Sequence, residues 1–120
     1  MSDEQSRVFT LEELRKYNGH NDTTPLILLG FNGKVYDVSA SPQFYGPGKS
    51  YNVFAGRDCT KALAVNTLKE DALPGPNDSP VDTSEFTDAE KLAMNNWEQR
   101  LSVKYPVVGV LGAPVVGTLE

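Results

Sequence analysis

Asn32-Gly33 stands between two short apolar runs, and this dipeptide constrains the fold more than any other feature of the chain. Both residues tolerate the left-handed backbone that a two-residue hairpin turn requires. Residues 26–31 (LILLGF) therefore read as a buried strand, and residues 34–38 (KVYDV) as its antiparallel return. Alternation along the return strand is imperfect, because Val35, Tyr36 and Val38 are all apolar. The pattern leaves the register open.

Capping boxes mark two helices. Thr10 and Glu13 form the first pair, followed by Leu11, Leu14 and Tyr17 at helical spacing and Gly19 as a stop. Thr87 and Glu90 form the second pair. Ala89, Ala93, Trp97 and Leu101 then fall on one face, which predicts an amphipathic helix over 88–102. Cys59, Ala62 and Leu63 predict a third helix from about residues 56–58 to 68. A short strand closes the pattern at Val107–Leu111. Helices and strands mix without βαβ alternation, so the fold class is α+β.

Two segments break this regularity. Residues 40–52 hold Pro42, Gly46, Pro47 and Gly48 among Phe44, Tyr45 and Tyr51, a density expected to block helix and strand alike. Residues 73–85 carry Pro74, Gly75, Pro76 and Pro80 with several acids and read as a solvated, mobile loop.

A chain of 120 residues is one domain by length. Its bounds are set at residues 8–111, with 1–7 a disordered N-terminus and 112–120 a tail. The net charge of −5 and the lack of a basic stripe argue against a nucleic-acid partner. A single cysteine precludes an intrachain disulfide and fits a reducing compartment. No apolar run reaches the roughly 18–20 residues of a transmembrane helix. The polar N-terminus is no secretory signal, so the expected location is cytoplasmic.

Candidate chemistry is sparse. His20 is the only histidine and lies in the turn-like Gly19-His20-Asn21-Asp22. It has no nucleophile motif to serve, and one His with one Cys makes a zinc site improbable. The glycines at 46, 48 and 56 do not match a phosphate loop. Cys59 reads as a small core residue rather than a thiolate ligand. The informative segment is residues 44–58 (FYGPGKSYNVFAGRD), where two tyrosines flank a glycine-rich loop. Tyrosine is a known haem-iron ligand, although two tyrosines near glycines are by themselves more often packing residues.

Five strings in order specify more: NGKVYDVS at 32–39, FYGP at 44–47, YNVFAGRD at 51–58, WE at 97–98 and KYPVVG at 104–109. Over residues 8–111 the chain resembles the membrane-associated progesterone receptor family, including its fungal damage-resistance members. The resemblance implies a cytochrome b5-like haem/steroid-binding fold without the histidine pair of cytochrome b5. It implies that Tyr51 binds the iron of ferric haem b from one side, that Tyr45 hydrogen-bonds beside it, and that Lys104 and Tyr105 support the haem edge. Asp58, within the family string, is assigned to helix capping. Two departures stand out. The loop after FYGP reads Gly48-Lys49-Ser50, poorer in acid and richer by a cation, and the N-terminal membrane span of many relatives has no counterpart.

Two functional readings follow. In the first, the chain is a non-enzymatic haem-binding regulator or carrier serving haem-thiolate monooxygenases of sterol metabolism. It resides in the cytoplasm or peripherally at the endoplasmic reticulum membrane, and it forms a haem-dependent homodimer. Ionising a free phenol at pH 7 costs about 4 kcal/mol, which a hard ferric iron offsets better than a ferrous one. In the second, the 44–54 loop receives a sterol, and the chain is a steroid-binding or adaptor module without obligatory haem.

Overall fold

The structure, a computed structural model, describes residues 7–20 and 26–113. The expected disordered N-terminus and tail therefore lie outside the described residues, apart from Arg7, Gly112 and Ala113.

The hairpin forms where Asn32-Gly33 demands it. β2 (Leu28–Phe31) and β3 (Lys34–Asp37) pair antiparallel, Phe31 opposite Lys34 and Leu28 opposite Asp37. Both turn residues take positive φ, 52° at Asn32 and 79° at Gly33, which matches the right-handed twist of the flanking strands. β4 (Val107–Gly112) lies antiparallel to β3 and parallel to β1 (Val8–Thr10), giving the strand order β1-β4-β3-β2. Val35, Tyr36 and Val38 are all fully buried. The sheet is covered on both faces, which is why the return strand shows no polar alternation. Phe9, Leu14, Leu28 and Val35 cluster on one side, and Leu29, Phe31, Tyr36 and Val38 join the larger core on the other.

Thr10 ends β1 and caps α1 (Leu11–Leu14), with both halves of the capping box formed. A 3-10 turn at Arg15–Tyr17 carries the chain on to Gly19. β1 itself escaped the sequence reading, because three residues are too few to display a period. The expected absence of helix in 40–52 is corrected: α2 (Pro42–Tyr45) is a single helical turn. Pro42 sits at its first position, where the missing N–H is no loss. Gly46 closes it, and a Cβ there would meet the Pro42 carbonyl oxygen at 2.6 Å.

The third helix is shorter than expected. α3 spans Thr60–Ala64, because residues 56–59 run alongside β2 instead. Gly56 N–H donates to Leu28 O (2.7 Å), Gly30 N–H to Arg57 O (2.9 Å) and Cys59 N–H to Gly30 O (2.8 Å). Asp58 accepts from the Thr60 N–H at 3.1 Å, one position ahead of the cap residue Cys59, and from the Thr60 hydroxyl at 2.6 Å. Its other oxygen takes the Val81 N–H at 2.8 Å. Arg57 donates to the carbonyls of Leu73 and Pro74 at 3.2 and 3.3 Å. The 73–85 loop is thus tied to Arg57 and Asp58 at Leu73, Pro74 and Val81, with Asn77, Asp78 and Ser79 exposed between them.

α4 (Asp88–Lys104) carries its capping box at Thr87 and Glu90 and runs two residues beyond expectation. Its inner face is also offset. Met94 and Leu101 are buried and Trp97 half-buried, whereas Ala89 is exposed. Glu98 ties this helix to the hairpin through an ion pair with Lys34 and a 3.0 Å hydrogen bond from Asn32. Among the described residues, no helix is long and apolar enough to cross a membrane.

Candidate functional site

Two segments remote in sequence face one another across a cavity of about 200 Å³. Phe44, Tyr45 and Tyr51 come from the glycine-rich loop, and Trp97, Arg100, Leu101, Lys104 and Tyr105 come from the end of α4. All four tyrosine and lysine positions expected from the sequence, Tyr45, Tyr51, Lys104 and Tyr105, meet here. A second cavity of about 260 Å³ adjoins the first and shares Tyr51 and Trp97 with it. Its remaining lining is Phe54, Leu63, Asn66, Thr67 and Leu68. Neither volume reaches the roughly 300–1,000 Å³ usual for small-molecule sites, but the two together do.

The loop wall is held rigid by its own backbone. Tyr51 N–H donates to Phe44 O at 3.0 Å and closes the loop on itself. The Asn52 side-chain amide donates to the carbonyls of Tyr45 (2.8 Å) and Asn18 (3.1 Å). His20 Nε2 lies 3.0 Å from Asn52 Oδ1. His20 is exposed, as its turn context implied, and it braces the Tyr51 loop from outside the cavity.

The tyrosines differ in access. Tyr51 is 36% exposed, whereas Tyr45 and Tyr105 are 7% and 6% exposed. Tyr45 stands between the other two, its ring centroid 5.9 Å from that of Tyr51 and 6.2 Å from that of Tyr105. Burial pushes the Tyr45 phenol well up, and the nearby Cys59, Tyr105 and Tyr51 add to the shift. Tyr45 therefore keeps its proton and can act as a hydrogen-bond donor. The Tyr105 hydroxyl donates to Ser41 Oγ at 2.8 Å in a buried pair, so its ring lines the cavity while its oxygen is engaged elsewhere. Tyr51 stacks on Phe54 at 5.7 Å.

The α4 wall brings charge. Lys104 Nζ lies 5.2 Å from the Phe44 ring and 5.7 Å from the Tyr105 ring, and Arg100 lies 5.3 Å from the Trp97 ring. Lys104 was expected at the site. Trp97 was legible in an apolar helix face and in the WE string, Leu101 in that helix face alone, and Arg100 carried no sequence signal. Nothing in one sequence says that this helix face meets the tyrosine loop.

Flat aromatic walls, an accessible phenol and a cationic rim fit a flat ligand with a metal centre and acidic edge groups. The other soft or nitrogen donors do not reach the cavity. Cys59 is fully buried, and its S–H donates to Gly30 O at 3.1 Å. Burial also pushes its thiol well up. Among the described residues, no cluster of three or more His, Cys, Asp or Glu side chains could hold a bare metal ion.

Comparisons with known proteins place the chain in a family. Residues 10–119 match the family described as cytochrome b5-like haem/steroid-binding domain. The membrane-associated progesterone receptor component 2 of Rattus norvegicus is 42% identical over 110 residues, 92% of this chain and 48% of the rat protein. The Schizosaccharomyces pombe protein named cytochrome P-450 regulator dap1 is 36% identical over 109 residues, 90% of this chain and 64% of its own length. An Arabidopsis thaliana structure described as having a cytochrome b5-like fold superposes with a TM-score of 0.78 at 32% identity, covering 94% of this chain and 96% of that one. The family match and the fold define a cytochrome b5-like haem/steroid-binding domain. Within that class, the chain belongs to the membrane-associated progesterone receptor family. It spans about half the length of the rat relative.

Proposed function

We propose that this chain is a haem-binding regulatory or carrier domain that holds ferric haem b through the phenolate of Tyr51. The observation that carries the reading is access: Tyr51 is the half-open phenol on the wall common to both cavities, while Cys59 is sealed in the core. Bound haem supplies a hard ferric centre able to draw the phenol into its ionised form. Tyr45, whose buried phenol keeps its proton, would supply a hydrogen-bond donor beside the bound group. Tyr105, anchored on Ser41, fixes the floor of the cavity, and Lys104 offers its ammonium to an acidic edge group. In this reading the domain is a holder rather than a catalyst.

The proposed partner class is haem-thiolate monooxygenases of sterol metabolism; the S. pombe relative, named as a cytochrome P-450 regulator, supports the monooxygenase part of that reading. Residence is cytoplasmic or peripheral at the endoplasmic reticulum membrane. The proposal includes a haem-dependent homodimer, in which an apolar surface left uncovered on the loaded domain would bring two copies together. Sedimentation showing equal mass with and without haem would exclude that dimer.

A second reading has its own observation. The adjoining cavity is lined mainly by apolar side chains with Asn66 and Thr67 as polar groups, a lining suited to a sterol. A haem titration followed by visible absorption separates the two. A Soret band that saturates at one haem per chain supports the first reading. No band, with saturable sterol binding, supports the second.

A further inference from the structure

Arg100 and Lys104 lie one helical turn apart on α4, and both line the tyrosine cavity. Like charges at this spacing repel by a few tenths of a kcal/mol. A carboxylate nearby would ordinarily relieve them, yet the ion pairs among the described residues are Lys34–Glu98 and Arg57–Glu70. Neither rim cation takes part. Each instead rests against an aromatic ring of the cavity, Arg100 on Trp97 and Lys104 on Phe44 and Tyr105. These contacts hold the two charges at the mouth in a chain whose net charge is −5. A cationic pair kept at the edge of an aromatic slot whose lining holds no acid suits anionic groups on the rim of a flat ligand. Guanidinium presents parallel N–H donors that match a carboxylate in two-point fashion, which ammonium cannot do.

We propose that Arg100 is a second anion anchor, acting with Lys104, and that it makes the site select flat ligands bearing carboxylates over uncharged ones of similar shape. The inference rests on the reading of this cavity as a haem site, where the carboxylates are the propionates. It excludes neutral sterols as equal competitors for the same slot. The adjoining cavity has no cation in its lining, so the selection belongs to the α4 mouth.

The test uses the full chain and four probes: ferric haem, its dimethyl ester, iron-free protoporphyrin and a neutral sterol. Each is titrated into wild type, Arg100→Gln and Arg100→Lys at low and high salt. Arg100 is exposed at the cavity mouth, so both variants are expected to keep the fold, which far-ultraviolet circular dichroism checks. The anchor predicts that Arg100→Gln weakens haem and protoporphyrin by about threefold or more and leaves the diester unchanged. Arg100→Lys should recover part of the loss, and high salt should erase the difference. Equal binding of haem and diester by wild type overturns the anchor while leaving the haem site standing. So does an equal loss of both ligands in Arg100→Gln. Wild type that binds neither haem nor protoporphyrin, but does bind the sterol, overturns the haem reading and the anchor with it.

Discussion

The loop wall of the cavity brings Phe44, Tyr45 and Tyr51 and no charged lining residue, whereas the α4 wall brings Trp97, Arg100, Lys104 and Tyr105. The two walls also stand on different supports. The loop is held by local backbone hydrogen bonds and by Asn52, within a stretch too rich in glycine and proline for long regular structure. The helix is held by Met94 and Leu101 in the core and by Glu98 on the hairpin. A short loop can aim one phenol at a defined place. A helix can repeat a charge every turn along an edge. Ligation and edge recognition are therefore separable, and variants should divide cleanly between them.

The largest effect belongs to Tyr51→Phe. It keeps the ring that stacks on Phe54 and removes only the oxygen. Changes to groups that merely support a metal ligand cost roughly 10–100-fold in affinity, so loss of the ligand itself should exceed about 100-fold. Equilibrium haem titration measures it, with circular dichroism reporting an intact fold.

Reduction comes next. A phenolate favours ferric iron, so the dithionite-reduced complex should bind at least about tenfold more weakly, with the midpoint potential lowered by about 59 mV for each tenfold. Equal affinity in both redox states would break the link between the loop wall and a phenolate.

Tyr45→Phe should act more gently. It removes one hydrogen bond worth roughly 0.5–1.5 kcal/mol, a loss of about two- to twelvefold in haem affinity. Because the buried Tyr45 phenol holds its proton well above the usual range, this effect should not change between pH 6 and pH 9, as read from titrations across that window.

Glu98→Gln tests the helix support instead. The Lys34 ammonium beside it holds the Glu98 carboxyl below its ordinary value, and Glu98 raises Lys34 in return. The carboxylate's contribution is present above the ordinary carboxylate range and fades as pH falls through the lowered value. That of Lys34 is present below the ordinary lysine value and fades as pH rises through the raised one. Denaturant melts should thus show a deficit of about 0.2–1 kcal/mol at neutral pH that vanishes in acid. The haem spectrum should stay unaltered.

The smallest effect is expected from Cys59→Ser. The visible spectrum of the haem complex should not move, although stability can fall because the thiol is buried against Gly30 O. A bleached spectrum in this variant, with Tyr51→Phe unaffected, would transfer the ligand role to sulfur.

Legibility from sequence divides along the same line as the walls. The hairpin and both capping boxes were readable because each depends on two or three residues close together. α2 was hidden, since Pro42 and Gly46 break helices in general but frame a single turn when they fall at its two ends. α3 was overextended, because residues 56–59 spend their backbone groups on β2, a partner no local pattern reveals. Tyr45, Tyr51, Lys104 and Tyr105 are proposed from the family strings, and the structure brings them to one cavity. Arg100 and Trp97 were not assigned there, because joining the helix end to the loop is a tertiary fact.

The most direct test of the central assignment is resonance Raman spectroscopy of the ferric haem complex, excited in the visible charge-transfer region. Ring modes of an iron-bound phenolate should appear, shift in protein grown on ring-deuterated tyrosine, and vanish in Tyr51→Phe. A six-coordinate low-spin spectrum without phenolate modes, or phenolate modes that survive in Tyr51→Phe, would contradict ligation by Tyr51.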